Sequence, residues 1–99
     1  MTEQEDYQKK MAQCTAWLRE WVSSLTGPIT VTEYELRTWK IYNGDPPVFL
    51  CNLTMSTATF ASSDVKVRRR RLWTDLWNIL KSRNIDVTPM GIAYPEEQA

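Results

Sequence analysis

The spacing of apolar residues changes period along this chain, and each change fixes which element can form. Tyr7, Met11, Cys14, Leu18, Val22 and Leu25 recur every three to four residues, the stripe of an amphipathic helix, with Trp17 and Trp21 widening it on one side. Gly27-Pro28 is expected to end that helix, Gly as cap and Pro as breaker. From Ile29 to Tyr42 the composition turns to Thr, Val, Ile, Tyr and Trp, residues that suit a pleated surface. The alternation slips there. Tyr34 and Leu36 share one phase and Trp39 and Ile41 the other, so either a bulge or partial cover of both faces is expected.

Asn43-Gly44-Asp45-Pro46-Pro47 has the composition of a turn, and Phe49, Cys51, Leu53 and Met55 then alternate as a strand with one buried face. Ser56-Thr57 reads as a tight turn into a short third strand, Ala58 to Ala61. Ser62-Ser63-Asp64 offers N-caps for a second helix whose inner stripe is Leu72, Leu76, Ile79 and Leu80 and which should stop near Asn84. These elements predict an α+β fold: helix, two- to three-stranded antiparallel sheet, helix, with both helices on one sheet face. Residues 1–6 read as a polar lead-in, 7–84 as one domain, and 85–99 as a partly ordered tail that packs through Ile85, Val87 and Met90.

Ninety-nine residues, 42% of them hydrophobic, suit one modest core. Twelve basic residues balance twelve acidic ones, which argues against indiscriminate polyanion binding. The charge is segregated, however. Glu3, Glu5 and Asp6 sit at one end, Glu96 and Glu97 at the other, and Lys66-Val67-Arg68-Arg69-Arg70-Arg71 opens the second helix. Cations at a helix N-terminus oppose its dipole by about 0.3–1 kcal/mol each at low salt, so such a run points to a polyanionic partner. The competing reading is a solvated helix start whose arginine stems cover Trp rings.

Catalysis has little basis in these residues. Without histidine there is no ready general base near neutral pH, and Cys14 and Cys51 lie in apolar patterns, as two buried thiols would. Zinc would need more Cys or His, and three scattered glycines make no phosphate-cradling loop. A non-enzyme with no metal and no cofactor is expected. No apolar run is long enough for a membrane span and the polar opening is unlike a signal peptide, so an intracellular location is expected.

The order of elements, with a basic cluster where the sheet gives way to the last helix, resembles the double-stranded RNA-binding domain over about residues 12 to 82. Tyr34-Glu35-Leu36 is similar to the Tyr-x-Leu that begins that family's first strand. Gly44-Asp45-Pro46-Pro47-Val48-Phe49 is similar to its Gly-Pro loop followed by an inward Phe. Asp64-Val65-Lys66-Val67-Arg68-Arg69 takes the place of its basic motif.

The resemblance implies recognition of A-form shape over roughly 16 base pairs, across two minor grooves and the intervening phosphates. Lys66, Arg69 and Arg70, joined by Arg68 and Arg71, would then meet phosphates. Lys9, Lys10, Gln13 and Glu20 would reach one minor groove, and Asn43 to Pro47 the other. Shielding of duplex RNA, as small viral or regulatory proteins do, is the role it implies.

A second reading keeps the fold and assigns Trp73 and Trp77 to a homodimer or protein-partner interface, because Leu72, Leu76 and Leu80 already supply a core stripe. Zero net charge, the lack of a loop histidine and the bulky last helix favour it. The competing assignment for both Trp residues is the core. Arginines beside aromatics could alternatively stack single-stranded bases or meet an anionic membrane surface.

Overall fold

A computed structural model describes residues 2–91. It has the helix–sheet–helix order expected of an α+β fold: α1 (Glu3–Ser23), β1 (Ile29–Glu33), β2 (Thr38–Asn43), β3 (Val48–Thr54), a one-turn helix α2 (Thr57–Ala61), α3 (Val65–Ser82) and a 3-10 turn (Thr88–Met90). The strands form one antiparallel sheet in the order β1-β2-β3. Both long helices pack on the same face, and one core joins Met11, Cys14 and Leu18 of α1 to Val31, Trp39, Ile41 and Leu53 of the sheet and Leu72, Trp73, Leu76 and Leu80 of α3. In the sheet Trp39 pairs with Leu53 and Ile41 with Cys51, so one register sets buried Trp39, Ile41 and Leu53 and half-buried Cys51 on the same face.

Four local expectations are corrected. Residues 3–6 belong to α1, because Thr2 and Glu5 close a reciprocal capping box and Glu3, Glu5 and Asp6 place negative charge in the first turn, where the helix dipole favours it. The same helix ends at Ser23, before Gly27-Pro28, with Ser24 as its C-cap.

The phase slip between Tyr34 and Trp39 is neither a bulge nor double cover but a turn between β1 and β2, closed by the Tyr34 N–H donating to Thr38 O at 3.0 Å. Leu36 and Arg37 carry it at φ 54° and 55°, left-handed values that β-carbons disfavour. Arg37 braces the turn: its Nε donates to Met55 O at 3.0 Å and its backbone N–H to the Tyr7 hydroxyl at 3.3 Å.

The third strand is not Ala58–Ala61. That segment is α2, capped by the Ser56 side chain, which accepts from Thr59 N–H. A bulge does occur, at Leu50, between the pairs Ile41–Cys51 and Tyr42–Phe49. The segment after α3 packs as expected up to residue 91, with Val87 buried and Ile85 and Met90 against the core; residues 92–99 of the expected tail lie outside the described residues.

A buried polar contact ties α1 to the sheet. Trp39 Nε1 donates to the Thr15 hydroxyl at 2.8 Å, and that hydroxyl has Met11 O at 2.8 Å and Glu33 Oε1 at 2.7 Å as acceptors for its single proton.

Candidate nucleic-acid interface

The basic run opens α3, whose first turn is capped by the Asp64 carboxylate accepting from Lys66 N–H at 2.9 Å. The helix then separates its cations by angle. Arg68 stands four residues before Leu72, in the stripe that continues to Leu76 and Leu80, and is therefore turned inward. Its side chain is buried at 5% exposure. Nη1 donates to Phe60 O (3.2 Å) and Ser62 O (2.9 Å), and Nη2 to Gln13 Oε1 (3.2 Å). Arg68 thus ties the α2–α3 connection to α1, and its placement removes it and the Gln13 carbonyl from any exposed phosphate- or groove-binding set.

The other cations lie outside this clamp. Lys66 is exposed, and Arg69 is half-buried with its guanidinium 5.9 Å from the Trp17 ring and 5.5 Å from the Trp21 ring. At such distances a guanidinium gains from the ring quadrupole while keeping its charge. Arg70 is half-buried. Arg71 is exposed and pairs with Asp75 one turn on, at 3.2 Å. Burial pushes the Asp75 carboxyl above its usual range, against the opposing pull of Arg71.

On α1, Lys9 and Glu20 are exposed and Lys10 pairs with Asp6 at 2.9 Å while lying 6.0 Å from the Phe60 ring. Contacts with Arg68 and Phe60 therefore bring α1 beside the basic start of α3.

The turn at Asn43–Pro47 is elsewhere. Gly44 N–H donates to Pro28 O, which places it at the far end of α1's exit loop, while Asn43 closes β2 opposite Ile29 and Val48. The residues that carried the family resemblance also take other positions. Tyr34-Glu35-Leu36 lies at the β1–β2 turn rather than on a strand, and Phe49 is 49% exposed rather than inward.

Trp73 is core, at 1% exposure, with its Nε1 donating to Met90 O at 3.3 Å. Trp77 is half-buried, stacked on Trp73 at 6.0 Å between ring centroids and covered by Lys81 at 4.3 Å. These two rings therefore offer no continuous exposed aromatic stripe. The exposed apolar side chains stand at the hairpins and the start of α3: Tyr34, Leu36, Val48, Phe49, Val65 and Val67.

The thiols differ. Cys14 is fully buried, which drives its pKa up to about 12 despite the nearby Arg68, whereas Cys51 is half-buried. Among the described residues no helix is long and apolar enough to cross a membrane. Comparison with protein-family models, with curated proteins and with solved structures finds no significant match to this chain.

Proposed function

We propose that the chain is a small non-catalytic module that grips double-stranded RNA by its backbone, through Lys66, Arg69, Arg70 and Arg71 on the first turns of α3 with help from Lys9 on α1. One observation carries this: the first turns of α3 hold Lys66 and Arg71 exposed and Arg69 and Arg70 half-buried, beside a second helix whose Trp17 and Trp21 rings support Arg69. A packed helix spaces charges on a fixed scaffold, and phosphate contacts made from it depend on backbone shape rather than base identity. Arg68 takes no part in that surface, since its donors are committed inside the fold.

The experiment is duplex-RNA binding by fluorescence anisotropy for the wild type and for a Lys66→Ala, Arg69→Ala, Arg70→Ala variant. The expected result is a large loss of affinity in the variant with its folded spectrum intact. Equal affinity in the two proteins would refute the proposal.

A second reading, a protein-partner surface, draws support from Leu36 and Val48, which are 67% and 64% exposed at opposite ends of the sheet. It replaces Trp73 and Trp77 with the hairpin tips. Light scattering at high concentration checks its homodimer form, and a strict monomer would remove that form.

A further inference from the structure

We propose that the outer edge of β3 is a self-association site, where a second copy of this chain adds its own β3 antiparallel and continues the sheet across a two-fold axis. β1 and β3 are the edges of the sheet, and they differ. Met55 N–H donates to Arg37 O at 2.9 Å, which places the hydrogen-bonded pairs at 37–55 and, by the two-residue period, at 39–53 and 41–51. Asn52 and Thr54 hold the alternate positions, whose N–H and C=O point away from β2. On β1 the outward groups are engaged: Ile29 N–H donates to Gly27 O at 3.0 Å, and Arg19 Nε on α1 donates to Val31 O at 3.2 Å. On β3, among the described residues, no further strand pairs with the outward groups of Asn52 and Thr54.

The occupant is a second copy because this edge fits itself. β3 carries no charged residue, so two copies meet without like-charge repulsion, whereas solitary edges are commonly guarded by Lys, Pro or a covering element. Antiparallel pairing centred on Leu53 sets Asn52 opposite Thr54 of the second copy, and the reverse, so each pair exchanges both its N–H···O bonds. Leu53 then faces its own copy and half-buried Cys51 stands opposite Met55, apolar against apolar on the helix side. The exposed Asn52 and Thr54 side chains share the other face. A groove of about 260 Å³ separates this stretch from Asn78 and Ile79 of α3, so the helix leaves the edge accessible, and Asp75 on its rim is already paired with Arg71. The bulge at Leu50 confines regular pairing to the residues after it. The contact is therefore short, and the dimer belongs to the weak, concentration-dependent class.

The proposal goes beyond the duplex-RNA reading and does not rest on it, since no residue of this edge belongs to the basic set. It does not use the hairpin tip at Leu36 either.

The test is sedimentation velocity of the full chain over a concentration series, with amide hydrogen exchange, on wild type, Asn52→Pro, Asn52→Lys and Leu36→Ser. Asn52 N–H makes no bond within the sheet, so proline there removes only the outward donor. Lysine leaves the backbone unchanged and adds the charge that keeps natural edges apart. The expected result is a wild-type mass that rises toward twice that of the chain, with exchange at Asn52 and Thr54 slowing in step. Both Asn52 variants should stay at the mass of one chain with a wild-type circular dichroism spectrum, and Leu36→Ser should dimerise like wild type.

A mass of one chain at every concentration overturns the proposal; protected Asn52 and Thr54 amides in that monomer would assign the edge to another segment of the same chain. Dimers that survive both Asn52 variants, or that Leu36→Ser alone dissociates, would also overturn it and place the interface elsewhere. Every variant keeps all its cations, so duplex-RNA binding measured on the same proteins stands or fails separately from the dimer.

Discussion

Replacing Arg68 with alanine should destabilise the fold by about 2–4 kcal/mol. The buried carbonyl Phe60 O and the part-buried carbonyl Ser62 O lose their charged donor; an unsatisfied buried acceptor costs about 1–3 kcal/mol, and the part-buried one costs less because water reaches it. The contact to Gln13 adds less, since Gln13 is exposed and recovers water. Against these losses stands the release of a buried cation whose Nε has no hydrogen-bond partner, and desolvating such a group costs several kcal/mol. That offset sets the upper limit, and it makes Arg68→Met, which keeps the packing volume while removing the charge, milder than Arg68→Ala. Urea unfolding reads the difference directly as a shift in midpoint. A domain of this size moves by about 4–8 °C in Tm for each kcal/mol, so thermal melts should show the alanine variant well below wild type. An unchanged midpoint for Arg68→Ala, together with RNA affinity reduced like that of a surface arginine, would refute the assignment of Arg68 as an internal strut.

Other outcomes follow from individual contacts. Thr15→Val leaves the buried Trp39 indole N–H without its acceptor and should cost about 1–3 kcal/mol by denaturant titration. Cys14, with its folded pKa near 12, should resist alkylation in the native state while Cys51 reacts first, as mass spectrometry would show. The sign for stability is fixed: the unfolded thiol ionises near its ordinary value of about 8.5, below the folded value of about 12. Its contribution is therefore full below pH 8.5 and lost as pH climbs through that window, and a Cys14→Ala variant should lack this part of the alkaline decline. Thr2→Ala removes the capping box of α1 and should cost about 0.5–2 kcal/mol, read by circular dichroism melts.

The long elements were legible because their signal is a repeated burial pattern. Leu72, Leu76 and Leu80 mark the inward face of α3, and Phe49 to Met55 gave a strand of nearly correct extent. What escaped were features set by one or two residues. Thr2 and Glu5 form a Thr-x-x-Glu capping signature, a two-residue signal within a stretch whose composition is otherwise that of a polar lead-in. The β1–β2 turn had no such signature, because Leu36 and Arg37 occupy left-handed backbone usually left to Gly or Asn. Ala58–Ala61 is too short for its period to distinguish strand from helix, and the Ser56 cap decides it.

Within the candidate site, the run of like residues hid a difference in role. Arg68 lies at helical spacing from Leu72, an angle that turns it inward, whereas its charge alone would place it at the surface. Trp73 is covered through its bond to Met90 O, and Trp77 is half-buried between Trp73 and Lys81, contacts that helical spacing alone does not carry.

The most direct measurement is anisotropy of the wild-type chain on an RNA duplex of about 20 base pairs, long enough for a 16-base-pair footprint, with matched DNA duplex and single-stranded RNA across a salt series. Gripping of backbone shape by Lys66, Arg69, Arg70 and Arg71 predicts preference for the RNA duplex and a log–log salt slope of about −0.7 to −0.9 per phosphate contacted. Absence of binding to all three at low salt would contradict it.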